Sequence, residues 1–443
     1  MQADTKKRTK ELLSLTFPIM VEQSFIMLMG VINTAMVAVL GAHELSAAGH
    51  INNSAHIPIA LLAATATGGT ILVAQATGAK DTSRAKRCAG QSISLAFALS
   101  IFLTVFLQIF QGSVVNILFP GADSETVQAA YEYFFYINWS MPFLAIGQTI
   151  FGVLRGAGDV KSPMVIVVIM NIINVALSFT LIPILGISGA GIAMLGSRFI
   201  GFLLGGIFVL SKKSKIRLNE LGIYLPTRST QKDIFTLGIP TGIENFLFNV
   251  GRTLTQVMVV ALGTAAMAAN VAILNVMNLI LIPGLAYSAA LMVMVGQRVG
   301  KKEVDDIKKT TFFTTKACAI SMGILCLAFI PLRGLMANMF HLDYYARVYF
   351  NEIYWILILM SPFFWAPSFV IPSALRAVKD VKFSMTISVT TMWIFRVALS
   401  YVLIFLGFGV LGVWIGFFGD WIVRSFIFYV RMNREKWIKF IKI

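Results

Sequence analysis

Long apolar segments alternate with short polar ones along almost the whole chain. A helix needs about 20 apolar residues to cross the hydrocarbon core of a bilayer, and an open strand cannot satisfy its backbone in lipid. The pattern therefore predicts an all-α membrane protein. We place twelve membrane-spanning helices at residues 12–40, 48–76, 88–111, 127–153, 162–185, 189–210, 235–262, 267–296, 311–337, 348–374, 383–406 and 410–430.

The longest polar connection lies at residues 212–233 and carries six lysine or arginine residues. It separates a predicted N-terminal bundle of six helices, residues 1–211, from a predicted C-terminal bundle of six, residues 234–443. We interpret the connection itself as a cytoplasmic linker between the two bundles.

The two predicted bundles share residues at a nearly constant separation, which indicates an internal duplication. At 222 positions Pro18, Glu22 and Gly41 correspond to Pro240, Glu244 and Gly263, and at 221 positions Arg155 and Asp159 correspond to Arg376 and Asp380. Each half has an even number of predicted helices and so begins and ends on one side of the membrane. The halves are therefore predicted to be parallel repeats, an arrangement in which transporters bind substrate near the bilayer midplane.

Positively charged residues are concentrated in the predicted loops and termini. The chain is 57% hydrophobic with a formal net charge of +16. If the N-terminus is cytoplasmic, 30 of the 36 lysine and arginine residues lie inside, and only Arg333 and Arg347 lie outside. This predicts a multi-pass protein of the cytoplasmic membrane with both termini in the cytoplasm. The same distribution argues against a nucleic-acid partner, and three scattered cysteines argue against a disulfide scaffold or a metal site.

Glu22 and Glu244 each lie well inside an apolar segment, about ten residues from its predicted start. A carboxylate in hydrocarbon costs several kcal/mol unless it is paired, hydrated or protonated. Counting residues places both near the midplane. We interpret them as candidate sites for a coupling proton or sodium ion. The alternative is a fixed buried pair or a hydrogen bond that packs helices together.

Polar residues accompany Glu244 along the same predicted helix and the next one. Asn245, Asn249 and Gln256 fall on the side of Glu244, and Asn275 follows in the next helix. They are candidates for contact with substrate or a hydrated ion, or they form interhelical hydrogen bonds. Arg252, two turns after Glu244, either pairs with a carboxylate and sets the field of a cavity, or extends to the membrane surface.

Charged turns follow the fourth and tenth predicted helices. Arg155 with Asp159, and Arg376 with Asp380, lie on the predicted cytoplasmic side. We expect them to gate the protein by latching its halves or to cap neighbouring helices. Arg396 and Asp420, in the last two predicted helices, are expected to pair with each other.

Three motifs give the chain a family resemblance. They are Val73-Ala-Gln-Ala-Thr-Gly-Ala-Lys-Asp81, Leu154-Arg-Gly-Ala-Gly-Asp159 and Leu185-Gly-Ile-Ser-Gly-Ala-Gly-Ile-Ala193. On twelve predicted spans and partly echoed in the second half, they resemble the multidrug and toxic compound extrusion (MATE) family. The resemblance implies a V-shaped pair of six-helix bundles around a central cavity. It also implies export of organic, often cationic, compounds in exchange for protons or sodium ions, and Glu244 resembles a glutamate that several relatives use.

The chain departs from that family in its N-terminal half. Many prokaryotic relatives carry aspartates where this chain has Asn33 and Ser178, although the associated asparagine is retained as Asn174. These three residues are candidates for the cavity lining. Loss of both aspartates leaves Glu22 and Glu244 as the candidate coupling residues.

The sequence thus favours a secondary antiporter with a small-molecule substrate, H⁺ or Na⁺ as the coupling ion and no cofactor. We expect it to be a monomer. Two alternatives remain: a flippase for lipid-linked saccharide precursors from the same wider superfamily, and an uncoupled channel. No motif of a membrane-embedded enzyme is visible, so an enzymatic function is not expected.

Overall fold

The computed structural model describes residues 2–441, and every regular element in that range is helical. The helices are α1 Gln2–Ala38, α2 Ala42–Gly78, α3 Thr82–Ile109, α4 Gln111–Leu118, α5 Ser124–Gly156, α6 Lys161–Leu210, α7 Arg228–Ala261, α8 Thr264–Gly300, α9 Val304–Phe329, α10 Arg333–Met339, α11 Tyr344–Met360, α12 Ala366–Ala377, α13 Val381–Thr391, α14 Ser400–Phe405 and α15 Gly409–Asn433. Two π-helical segments, Ser361–Trp365 and Met392–Leu399, connect α11 to α12 and α13 to α14. The prediction of an all-helical protein is confirmed.

Ten helical stretches in the described part of the chain are long and apolar enough to cross a membrane. One of them, α6, has 50 residues and contains a non-helical residue, Gly186, at φ 58° and ψ −136°. It therefore joins the two segments that the sequence predicted at 162–185 and 189–210. The helix α7 is not among the ten, although it covers residues 235–261 of the predicted span 235–262.

The helices extend beyond the predicted apolar segments. The helix α1 begins at Gln2 rather than at residue 12, and α5 covers Ser124–Gly156 rather than 127–153. Hydropathy detects the part of a helix that matches the hydrocarbon, whereas the hydrogen-bonded helix continues into polar residues at both ends.

Residues with a positive φ angle recur at equivalent positions of the two halves. Positive φ angles occur at Gly41 and Gly263 (143° and 98°), Lys80 and Lys302 (58° and 62°), Gly158 and Lys379 (82° and 70°), and Gly186 and Gly407 (58° and 89°). Each pair is separated by 221 or 222 positions. A residue with positive φ is a common way to end a helix or to redirect the chain. The two halves therefore place such a residue at four equivalent positions.

The chain forms two compact units. The first, which we call the N-unit, is Val21–Gly242, and the second, the C-unit, comprises the chain up to Met20 together with Ile243–Ile443. The helices α1 and α7 thus each contribute residues to both units. Within the N-unit, α5 packs against α2, α3 and α6. Within the C-unit, α8 packs against α9, α11 and α12, and α12 packs against α15.

The predicted linker is folded against α3 within the N-unit. The hydroxyl of Ser94 donates to the carbonyl of Tyr224 at 2.9 Å, and the amide of Gln91 donates to the hydroxyl of Thr227 at 2.9 Å. Ile223 is buried there, with its carbonyl close to Gly90. These contacts fix the path of the chain before α7 begins.

An ion-pair network ties the first turns of α1 to the rest of the C-unit. The guanidinium of Arg298, in the last turn of α8, donates to Glu11 at 3.0 and 3.1 Å and to Asp306 at 2.6 Å. Arg8 pairs with the second oxygen of Asp306 at 2.6 Å. Two arginines and two carboxylates therefore join α1, α8 and α9.

The contact between α2 and α5 provides a test of close packing. A Cβ atom added at Gly156 would lie 2.7 Å from the carbonyl oxygen of Thr70 and 3.2 Å from the amide nitrogen of Ala74. At Gly147 in the same helix it would meet nothing within 4 Å. We expect Gly156→Ala to destabilise the protein by about 1–3 kcal/mol, because backbone atoms must move apart. Gly147→Ala should be neutral or stabilising by up to about 1 kcal/mol. Apparent melting temperatures in detergent would show the difference, and equal values for both variants would contradict this packing.

Candidate functional site

Glu22 forms a buried ion pair with Arg155 in the N-unit. Its side chain is fully buried, and Oε1 accepts a hydrogen bond of 2.7 Å from Nη1 of Arg155. Arg155 lies in the last turn of α5, and helical side chains tilt toward the N-terminus of their helix. Glu22 therefore lies beside the end of α5. Residue counting along one apolar segment does not anticipate this position, because tertiary packing brings Arg155, 133 positions away, to Glu22.

Glu244 forms the corresponding pair in the C-unit. It is 4% exposed, and its Oε1 accepts a hydrogen bond of 2.9 Å from Nη2 of Arg376, in the last turn of α12. The glutamates are 222 positions apart and the arginines 221. The structure thus brings each predicted coupling carboxylate together with the predicted gating arginine of its own half.

Each pair leaves hydrogen-bonding capacity unused. Among the described residues, Oε2 of Glu22 and Nε of Arg376 are buried and have no hydrogen-bond partner. Removing one member of a buried ion pair strands a charge and typically costs about 3–5 kcal/mol. Protonation of the glutamate, or binding of a second cation to it, would therefore change the stability of the ion pair most.

The aspartates of the two charged turns have different partners. Asp159 accepts hydrogen bonds from the backbone amide of Ser162 at 3.1 Å and from its hydroxyl at 2.7 Å, at the start of α6. Asp380 is 2% exposed and pairs with Arg431 of α15 at 2.8 Å. The first therefore caps a helix, and the second joins the start of α13 to the end of α15.

Two of the predicted amides of α7 and α8 donate hydrogen bonds within their own helices. Asn249 donates to the carbonyl of Asn245 at 2.9 Å, and Asn275 donates to the carbonyl of Val271 at 2.8 Å. Gln256 is exposed. The structure does not gather these amides into one cluster.

The N-unit contains a buried polar group in α6. Asn174 and Ser178 are each at most 1% exposed, and Asn174 donates to the hydroxyl of Ser197 at 3.3 Å. In the described part of the chain, two side-chain atoms, Oδ1 of Asn174 and Nδ2 of Asn33, are buried without a hydrogen-bond partner. These predicted cavity residues therefore retain polar atoms that can accept a ligand contact.

A small polar pocket lies in the C-unit between α7, α8, the π-helical segment Met392–Leu399 and α15. It has a volume of about 20 Å³ and is lined by Arg252, Thr255, Gln256, Val259, Asn270, Leu274, Arg396, Val413, Trp414 and Phe417. The sequence singled out Arg252 and Gln256 as cavity residues but did not place Arg396, Asn270 and Trp414 beside them. The one available signal was a charged residue, Arg396, inside an apolar segment.

The expected pairing of Arg396 with Asp420 is wrong. Asp420 instead forms its ion pair with Arg424 at 3.5 Å, one turn further along α15. The guanidinium of Arg396 lies over the ring of Phe417, 3.7 Å from its centroid. Residues four apart on a helix meet without any tertiary adjustment, which gives Arg424 the advantage over an arginine from another helix.

Many membrane-spanning helices and ionisable side chains buried among them are the features of a transporter. In the described part of the chain, ten helices long and apolar enough to cross a membrane and two matching glutamate–arginine pairs indicate this class. The MatE family model matches residues 18–180 and again residues 240–402. The chain belongs to the MatE family, whose members are membrane transporters rather than enzymes.

Relatives with similar sequences and folds extend over the whole chain. The chain is 28% identical to "Probable multidrug resistance protein NorM" of Thermotoga maritima, covering 97% of this chain and 93% of that one. It is 26% identical to "Uncharacterized transporter YisQ" of Bacillus subtilis, covering 98% and 96%. A solved structure described as "Crystal structure of MATE in the bent conformation" superposes with a TM-score of 0.88 at 21% identity, covering 98% and 97%. The fold is therefore that of MATE transporters.

The ion pair of the N-unit can be tested by its energetic coupling. We expect Arg155→Met to lower the melting temperature strongly, because Glu22 would remain buried without its partner, at a cost of about 3–5 kcal/mol. Adding Glu22→Gln removes the stranded charge and should restore most of the loss. Losses that simply add in the double variant would contradict a direct pair.

Proposed function

We propose that this protein is a secondary antiporter of the cytoplasmic membrane that exports organic compounds, cationic or amphipathic, in exchange for H⁺ or Na⁺ by alternating access. One observation carries the proposal: a buried Glu244–Arg376 pair, matched by Glu22–Arg155, in a chain of the MatE family. A charged pair inside a membrane protein is costly to maintain and is typical of an ion pathway.

The pair supplies a coupling mechanism through competition. The carboxylate of Glu244 is neutralised by Arg376 at 2.9 Å, and a bound proton or sodium ion would neutralise it equally well. Occupation by the ion therefore weakens the contact with the arginine, and contact with the arginine disfavours the ion. Loading the ion frees the end of α12, where Arg376 lies, and unloading recaptures it. Glu22 and Arg155 can act in the same way at the end of α5.

The charged turns and amides have secondary roles in this proposal. Arg155 and Arg376 gate by switching partners, whereas Asp159 and Asp380 hold the helices that follow the turns. Asn33, Asn174 and Ser178 of the N-unit, and Asn245, Asn249 and Asn275 of α7 and α8, contact substrate or a hydrated ion. The unpartnered atoms of Asn33 and Asn174 support this assignment.

We also infer twelve spans in two parallel repeats, with both termini in the cytoplasm and a monomeric protein. Counting α6 as two spans and adding α7 to the ten candidates gives twelve. The four recurring turns and the double match of the MatE model support the repeats. The distribution of lysine and arginine supports the orientation.

Reconstituted vesicles provide the test. We expect Glu244→Gln to lower the rate of dye efflux driven by an imposed proton or sodium gradient by at least about tenfold. The reason is that the coupling ion loses its charged ligand. Imposing each gradient separately identifies the ion. Glu352→Gln, an exposed glutamate of the same unit, is the matched control and should retain the wild-type rate. Wild-type efflux by Glu244→Gln under both gradients would refute the coupling role.

The two rival functions give different results in the same vesicles. A flippase is favoured by one observation, the two arginines that share a pocket in the C-unit, since arginines hold a diphosphate well. It would move a lipid-linked saccharide and leave the dye inside. A channel would show a current that persists when no gradient of a coupling ion accompanies the substrate.

A further inference from the structure

The small pocket of the C-unit, which we call the arginine pocket, is lined by two arginines and several hydrogen-bonding groups. Arg396 is 8% exposed, and its buried Nε has no hydrogen-bond partner within residues 2–441. Arg252 lines the pocket from α7. No carboxylate is among the described residues that line it. A buried guanidinium with unused donors is an energetic cost that an anionic ligand would offset.

The charges around the pocket do not cancel. Asp420 lies three residues after Phe417 of the pocket and forms its ion pair with Arg424 at 3.5 Å. Further along, Glu244 is neutralised by Arg376. Within the described residues, neither of the two pocket arginines, Arg252 and Arg396, has a carboxylate at ion-pair distance.

The neutral lining groups also favour a hydrogen-bond acceptor as ligand. The indole nitrogen of Trp414 donates to Oδ1 of Asn270 at 3.2 Å. This contact leaves the amide nitrogen of Asn270 as a donor, and Gln256 offers a second amide. The ring of Phe417 holds the guanidinium of Arg396 in place at 3.7 Å. Arg396 and Asn270 are thus held in position before a ligand arrives.

We propose that the arginine pocket binds an anionic group, and that this group is a carboxylate carried by the exported compound. The proposal deepens the proposed function, on which it rests, because it makes zwitterionic compounds the preferred substrates. A volume of about 20 Å³ admits one small group but not a whole organic molecule, since a single water needs about 10–15 Å³ of such space. The carboxylate would occupy the pocket while the rest of the compound lies outside it.

A matched pair of dyes tests the inference. Rhodamine 19 has a free carboxylic acid, and rhodamine 6G is its ethyl ester with the same cationic fluorophore. Fluorescence anisotropy with the purified full-length protein gives the dissociation constant of each. We expect wild-type protein to bind the acid about tenfold more tightly than the ester, as a charge-assisted hydrogen bond predicts. Arg396→Gln should abolish the preference while leaving the affinity for the ester unchanged.

Two further variants keep the test decisive. Arg252→Gln alters an exposed residue of the same pocket and should reduce the preference even if Arg396→Gln fails to fold. Arg333→Gln removes an arginine that lies over Trp355 outside the pocket, and it should keep the wild-type preference. Each dye partitions into detergent to the same extent whichever variant is present. The ratio of the two dissociation constants is therefore compared between variants.

The outcomes separate the pocket from the transporter. Equal binding of both dyes by wild-type protein, or an acid preference that survives both pocket substitutions, would overturn the proposal and leave the antiport function standing. If the dyes bind equally while chloride raises the melting temperature of wild type and not of Arg396→Gln, the pocket takes an inorganic anion and the carboxylate assignment is wrong. Wild-type protein that binds neither dye would count against the proposed function, and the inference would fail with it.

Discussion

The structure depends on the neutralisation of carboxylates that the chain places inside apolar helices. Glu22 and Glu244 are both almost completely buried, and each has one arginine within 3 Å. Without these partners each carboxylate would have to be protonated or solvated. Both arginines lie in the last turn of a helix, α5 or α12, so each ion pair is formed where a helix ends and a charged turn begins. A change at the glutamate is therefore transmitted directly to a helix end.

The same helix ends are held by other close contacts. Gly156, next to Arg155, lets α5 approach the backbone of α2, and Asp159 caps α6 three residues later. In the C-unit, Asp380 follows Arg376 and pairs with Arg431 of α15. The two halves thus keep the ion pair but secure the following turn differently. Duplication preserved the glutamate–arginine pair more strictly than its surroundings.

Sequence periodicity predicted the helical class, the approximate positions of the spans and the equivalence of Glu22 with Glu244. It could not predict the pairs, because residues 133 and 132 positions apart meet only through tertiary packing. Residue counting gave a depth for Glu22 but not its position beside the end of α5, since that position depends on how α1 packs against α5. Arg396 was recognised as a buried charge, yet its neighbours Asn270 and Trp414 became visible only in the folded C-unit.

The central claim is that the coupling ion and Arg376 compete for Glu244. Equilibrium binding of the ion to purified protein tests this claim most directly, by isotope titration for sodium or by proton release for H⁺. Removing the competitor in Arg376→Gln should tighten ion binding by at least about tenfold, because a buried charge-assisted contact no longer opposes it. Equal affinity in wild type and Arg376→Gln would contradict the claim.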